Sequence, residues 1–296
     1  MNQRIVYYLT DHKDIANFSL ICTATRDAIN GDNYSVWRLK FREEFAMLPE
    51  KSNSQLRRRY QCRWGWIHRF ISRKVPFVHG TTKAEKAILN ILRELIVESF
   101  ANSIQLSHDD RPQCPNMTHL QTFVLRSRIM LGGKRPPNSN VREPINDSLA
   151  AIRLMLSHFL LDQTTPPGSW FAIDDAQKAV YAATNVAPIY LGPSKDVVNL
   201  EWVFQCMNFF RYHMTTRELS LHAALEELDK TQRPSAWSEP LKPGTHPLVS
   251  HWKGTYAFLE HDDLVKFRKY ARFKQEGEDK VFIDLNVDEG KIQVRI

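Results

Sequence analysis

The chain has 296 residues, 43% hydrophobic and 25% charged, which is enough for one large core or two smaller ones and too apolar for a disordered polymer. Its formal charge of +7 points first to nucleic acid, but the excess is local: residues 1–75 hold 14 Lys or Arg against 7 Asp or Glu, and residues 76–296 hold 26 of each. Arg93 and Glu94 interrupt the apolar stretch at 88–97, so nothing approaches the ~18 uninterrupted residues of a membrane span, and the N-terminus lacks a basic lead into an apolar run, so an intracellular protein, cytoplasmic or nuclear, with no secretory signal and no membrane partner is expected.

Along the first 75 residues, Ile5, Tyr8 and Leu9, then Ile15, Phe18 and Leu20, then Ile21, Thr25, Ala28 and Ile29 have the three-and-four spacing of short helices packed together. Asp11 and Asp14 surround the start of the second, and Asn30, Gly31, Asp32 and Asn33 end the third with turn chemistry. From 54 to 74, Leu56, Tyr60, Trp64, Ile67 and Phe70 or Ile71 recur on one face, while Arg57, Arg58, Arg59, Arg69 and Arg73 mostly fill the other, an amphipathic basic helix. Thr82 and Glu85 have capping-box spacing, so a long core helix is expected over 87–100.

Further helices are expected at 117–131, 145–161, 174–183, 197–214 and 217–230, without a fixed repeat period that would indicate a solenoid. Residues 231–248 carry Pro234, Pro240, Pro243, Gly244 and Pro247 and read as a linker. Beyond it, 252–258, 281–287 and 292–296 have the aromatic, β-branched or alternating character of strands around a charged helix at 262–271. The last run has no evident partner, so a small or incomplete β element is expected.

One stretch is more specific. Ile5, Leu9, Asp14, Ile15, Leu20, Cys22 and Trp37 stand in the order of an F-box: a helical end with isoleucine and leucine, a turn, a lysine-aspartate step, a leucine-rich helix closing on cysteine, and a later tryptophan. The first 45 or so residues resemble that family. The resemblance implies a helical adaptor module that completes its apolar core against another surface, a Skp-type adaptor joined to a cullin ubiquitin ligase, with Ile5, Leu9, Ile15, Leu20 and Trp37 divided between internal core and interface. F-boxes open with a leucine-proline step ahead of the place held by Ile5, and this chain starts at Met1, so a shortened gene product is expected. His251 to Phe258 also resembles the Trp-Gly-Tyr segment opening a β-rich unit in larger fungal F-box proteins, whose remaining strands would follow Ile296.

Other motifs admit simpler readings. Arg57, Arg58, Arg59, Arg63 and Arg69 among Tyr60, Trp64 and Trp66 could grip phosphates and stack bases, yet the aromatics share the spacing of a buried face, which favours a core helix with a solvated or protein-binding basic side. Gly132-Gly133-Lys134 lacks a phosphate loop's glycine at Arg128 and its hydroxyl at Arg135. Gly168 and Ser169 lack the second glycine of a hydrolase elbow. His222 and Glu226 lie one helical turn apart without a third metal ligand, and Glu260, Asp262 and Asp263 read as helix-start carboxylates rather than paired acids. Cys22, Cys62, Cys114 and Cys206 form no CxxC pair, which argues against a zinc knuckle or disulfide scaffold; Cys22 is expected in an apolar helix as an inert thiol.

The fold expected is mainly α: an F-box-like module at 1–48, a basic amphipathic helix at 49–75, a helical central region at 76–230, the linker at 231–248 and a small α+β element at 249–296. The function expected is a non-catalytic substrate-recognition subunit that links an unidentified target to a Skp/cullin/F-box ubiquitin ligase, with no cofactor or metal. Two lesser readings are a nucleic-acid-associated protein using the 57–74 helix and a small-ligand binder using Trp252 and Tyr256.

Overall fold

The computed structural model describes residues 2–9, 12–46, 51–101, 105–106, 112–131, 145–161, 173–181, 188–216, 220–229, 231–242, 244, 251–254, 260–262, 264–265, 268 and 292–295. They are mainly α-helical, and their elements group into two compact units. One comprises Met1–Pro76, Thr81–Arg128 and Trp237–Lys242, the other Phe77–Gly80, Ile129–Ala236 and Pro243–Ile296.

In the first unit, helices α1 (Asn2–Tyr8), α2 (His12–Ile21) and α3 (Thr23–Glu44) precede α4 (Asn53–Ser72), α5 (Lys83–Glu98) and α6 (Pro115–Arg126). The capping chemistry fixes two of the starts. Ser52 and Gln55 cap α4 reciprocally, and Thr82 and Glu85 do the same for α5, each pair satisfying backbone donors of a first turn. The turn expected at 30–33 is a break in the path of α3, where Asp32, Asn33 and Tyr34 take left-handed φ of 48°, 49° and 59°. Asp and Asn tolerate that region better than most residues. Asn53 holds the break from α4 by donating to Asn33 O at 2.8 Å, and Arg38 donates to Asn53 Oδ1 and, at 2.6 Å, to Lys51 O.

The core of this unit is filled by Phe41 and Phe45, by Leu56, Tyr60, Ile67 and Phe70 of α4, by Ile88, Leu92 and Leu95 of α5, and by Leu120, Phe123 and Val124 of α6. Buried Asn116 joins three segments by accepting from Ala46 N at 2.9 Å and donating to Leu95 O at 3.1 Å. The α6 helix stops at Arg126, short of the expected 131, because Ser127 turns extended. A short antiparallel pair, β1 (Gln105–Leu106) with β2 (Pro112–Gln113), precedes it.

In the second unit, α7 (Asp147–Leu156) runs into a 3-10 turn (Ser157–Leu160) and is followed by α8 (Ile173–Tyr181), α9 (Leu200–Thr215) and α10 (Ser220–Glu226). Packing centres on Leu149, Leu156, Phe204, Phe209 and Leu221. Buried Arg153 donates to Ile129 O at 2.7 Å and Leu131 O at 3.0 Å, exchanging water for backbone acceptors. Two strands correct the sequence reading. Residues 197–198, expected to begin a helix, form β4 (Val197–Val198), antiparallel to β3 (Tyr190–Leu191) across a turn with Gly192 at φ 77°, and α9 begins only after Asn199 caps it by accepting from Trp202 N at 3.1 Å. The terminal run does find a partner within the chain: β6 (Ile292–Arg295) pairs antiparallel with β5 (His251–Gly254). The expected strand at 281–287 and residues 255–258 lie outside the described residues. No helix among the described residues is long and apolar enough to cross a membrane.

Two glycines should respond oppositely to a methyl group. At Gly80, with φ +77°, an added Cβ would meet Leu149 Cβ at 2.9 Å and Asn146 Cβ at 3.0 Å, so Gly80→Ala should lower unfolding stability by about 1–3 kcal/mol. Gly65, inside α4, meets nothing within 4 Å, so Gly65→Ala should raise stability by about 0.5–1 kcal/mol; urea unfolding of both variants checks the pair. Burial also depresses the His158 imidazole to about 4. The unfolded chain then takes up that proton first, so the associated stability is complete above about pH 6.5 and is lost as pH falls toward 4. The thermal midpoint of His158→Gln should decline less over that window than that of the wild type.

Candidate docking surface

The first three helices divide their apolar side chains between two environments. Ile15 is 2% exposed and Trp37 6% exposed, both inside the unit, where Trp37 donates its indole N–H to Asn30 Oδ1 at 3.4 Å and meets Tyr60 edge-on at 5.6 Å. Leu20 is 81% exposed, Ile21 69% and Tyr8 84%. Ile5, Tyr7 and Leu39 are also exposed, Leu9 is half-buried and Asp14 faces solvent. These six large apolar side chains are exposed within residues 5–39; single exposed apolar residues are ordinary, and larger contiguous patches mark interaction surfaces.

A buried tie between α1 and α3 is made by Lys40, which the sequence reading missed. It is only 3% exposed, and its ammonium donates to Tyr7 O at 3.1 Å and pairs with Glu43 at 2.8 Å. This polar tie fixes α1 on α3 while leaving Tyr8 and Ile5 outside. Cys22 departs from expectation as well. It is exposed at the joint between α2 and α3, where Thr25 Oγ1 accepts from Cys22 N at 3.1 Å and donates to Cys22 O at 2.9 Å. Hydrogen bonding to Thr25 holds its thiol below the usual range.

The basic helix distributes its arginines unevenly. Arg58 and Arg69 are exposed, Arg69 lying over the Trp66 ring at 5.1 Å. Arg57 is half-buried, its guanidinium 5.0 Å from the Tyr34 ring centre and 5.8 Å from that of Trp37. Arg63, expected on the basic surface, is instead 1% exposed. Its Nη2 donates to Glu98 at 2.6 Å and Glu94 at 3.2 Å, and its guanidinium lies 5.3 Å from the Phe41 ring centre and 5.2 Å from that of Phe45. Arg59 donates to the other oxygen of Glu98 at 2.7 Å. Two of the five arginines thus spend their charge on α5, which weakens the case for a phosphate-gripping surface.

The other candidates stay apart. His222 and Glu226 approach to 3.6 Å as a helical pair. Glu260 and Asp262 are exposed, with Glu260 O accepting from Leu264 N at 2.8 Å. Gly132 to Lys134, Gly168, Ser169, Asp263 and Tyr256 lie outside the described residues, as does the side chain of Trp252. Among the described residues, no group of three His, Cys, Asp or Glu could hold a metal ion. No family model, curated protein or solved structure matches this chain.

The Arg63 cluster makes a stability prediction. Glu98→Ala removes the closest carboxylate from a buried guanidinium and should cost about 3–5 kcal/mol, whereas Arg58→Ala, on the same helix but in solvent, should change stability by less than about 0.5 kcal/mol. Denaturant midpoints of the two variants test the difference.

Proposed function

We propose that the chain is the substrate-recognition subunit of a Skp/cullin/F-box ubiquitin ligase, docking onto a Skp-type adaptor through residues 1–48 and carrying no catalytic group of its own. The observation that supports this reading most is the division along α2: Ile15 faces the core, while Leu20 and Ile21, at the end of the same helix, stand in water. Residues at F-box positions therefore include both those needed to hold the module and those left for a partner. Burying a Leu or Ile side chain that is exposed in the free protein supplies about 1.5–3 kcal/mol each, so a few such residues can anchor a complex.

The mechanism in this reading is proximity. A target held by the rest of the chain sits near the activated ubiquitin carried by the ligase, and a rare bimolecular encounter becomes an intramolecular one. Bond making and breaking belong to the partners.

Co-purification with a recombinant Skp-type adaptor tests it. The wild-type chain should form a stable complex, and the Leu20→Asp, Ile21→Asp double variant should weaken it at least ten-fold with an unchanged circular dichroism spectrum. Trp37→Ala is a poor probe, since that ring belongs to the core. Failure of the wild-type chain to bind, or undiminished binding by the folded double variant, overturns the reading.

A further inference from the structure

Between α2, α3 and α4 lies a cleft of about 230 Å³, with Ile15, Ile29, Trp37, Tyr60, Trp64 and Arg57 among its lining. Its walls are mainly apolar and aromatic, with His12, Ser19, Asn30 and Gln61 as further polar members of the lining. Arg57 has no hydrogen bond or ion pair among the described residues; its guanidinium rests on the Tyr34 and Trp37 rings, and its Nε–H is buried without an acceptor. The buried indole N–H of Trp64 also lacks an acceptor. Among the described residues, no Asp or Glu lines the cleft. Ring faces attract a cation, but they do not replace the acceptors that buried N–H groups lose when they leave water.

We propose that this cleft binds a carboxylate carried on a compact aromatic or aliphatic body. A single planar guanidinium suits a single carboxylate, which it can meet with two parallel hydrogen bonds, and which would give Arg57 an anion that none of the cleft's described residues supplies. The volume lies below the ~300 Å³ at which drug-sized sites begin, so the occupant is the size of one side chain or a small acid. Two sources carry that chemistry, a free organic acid and the C-terminal residue of a peptide. The site rests on the cleft alone and stands or falls independently of adaptor docking.

Calorimetric titration of the full chain with phenylacetate, neutral phenylacetamide, the tripeptide acetyl-Ala-Ala-Phe and its C-terminal amide tests the proposal. At least one acid should bind with a Kd near or below about 1 mM, at least ten-fold tighter than its amide. Arg57→Gln should abolish that preference and Arg58→Gln should keep it, both variants retaining the wild-type circular dichroism spectrum. Tighter binding of the tripeptide identifies a chain end as the source, and equal or tighter binding of phenylacetate identifies a free acid; either supports the site. The proposal is overturned if neither acid binds saturably up to about 10 mM, if acid and amide bind alike, or if folded Arg57→Gln binds the acid as the wild type does.

Discussion

The buried guanidinium of Arg63 is the constraint on which the first unit depends. A charge removed from water must be paired or its burial costs several kcal/mol, and Arg63 meets that demand with two carboxylates from α5, the ring of Phe41 in α3 and the ring of Phe45 just past its end. Its Nε and Nη1 have no acceptors, so its hydrogen bonds in this arrangement rest on Nη2 and the carboxylates of Glu98 and Glu94. Rotating α4 by one residue, 100°, would carry the guanidinium away from both partners. The ion cluster therefore fixes the register of α4 between α3 and α5.

That register decides what the other arginines do. Arg59 lies one turn before Arg63 and shares Glu98, whereas Arg57, six residues before Arg63, points about 120° around the helix and lies over the rings of Tyr34 and Trp37. Tyr60 and Trp64 continue the Arg57 stripe at three and seven residues. One side of α4 thus serves the junction with α5 and another lines the cleft beside α2 and α3. The basic composition of the first quarter resolves into separate tasks, with Arg58 left in solvent.

Much of the framework was legible in local chemistry. The capping pair Thr82 and Glu85 started α5 as expected, and of the face expected on α4, Leu56, Tyr60, Ile67 and Phe70 are buried while Trp64 is half-buried. The error at Arg63 arose from assigning residues by chemical type: its position, three after Tyr60 and four before Ile67, puts it on the apolar stripe, and that spacing was the available signal. The β3 and β4 pair also had one, since Tyr190-Leu191 and Val197-Val198 flank Gly192-Pro193, a breaker that should have displaced the helix start past 198. The pairing of 251–254 with 292–295 had none, because it joins segments about 40 residues apart through backbone hydrogen bonds that are blind to local sequence. Lys40 belongs to the same class, its role set by the carbonyl of Tyr7 33 residues away.

The outward apolar residues of α2 bear on the docking reading through helix energetics. Ten residues are too few for an isolated helix to hold its shape in water, and packing of one face normally supplies the missing stability. Ile15 is the residue of α2 that is fully buried, while Phe18 and Ser19 are half-covered and Leu20 and Ile21 stand free. A sequence that served only internal packing would place polar side chains at 20 and 21, where apolar groups add nothing to the free unit and raise its tendency to aggregate. A partner that covers them would complete the packing of α2 and hold its last turn against the joint at Cys22, so the residues least useful to the isolated unit are those with most to gain from an interface.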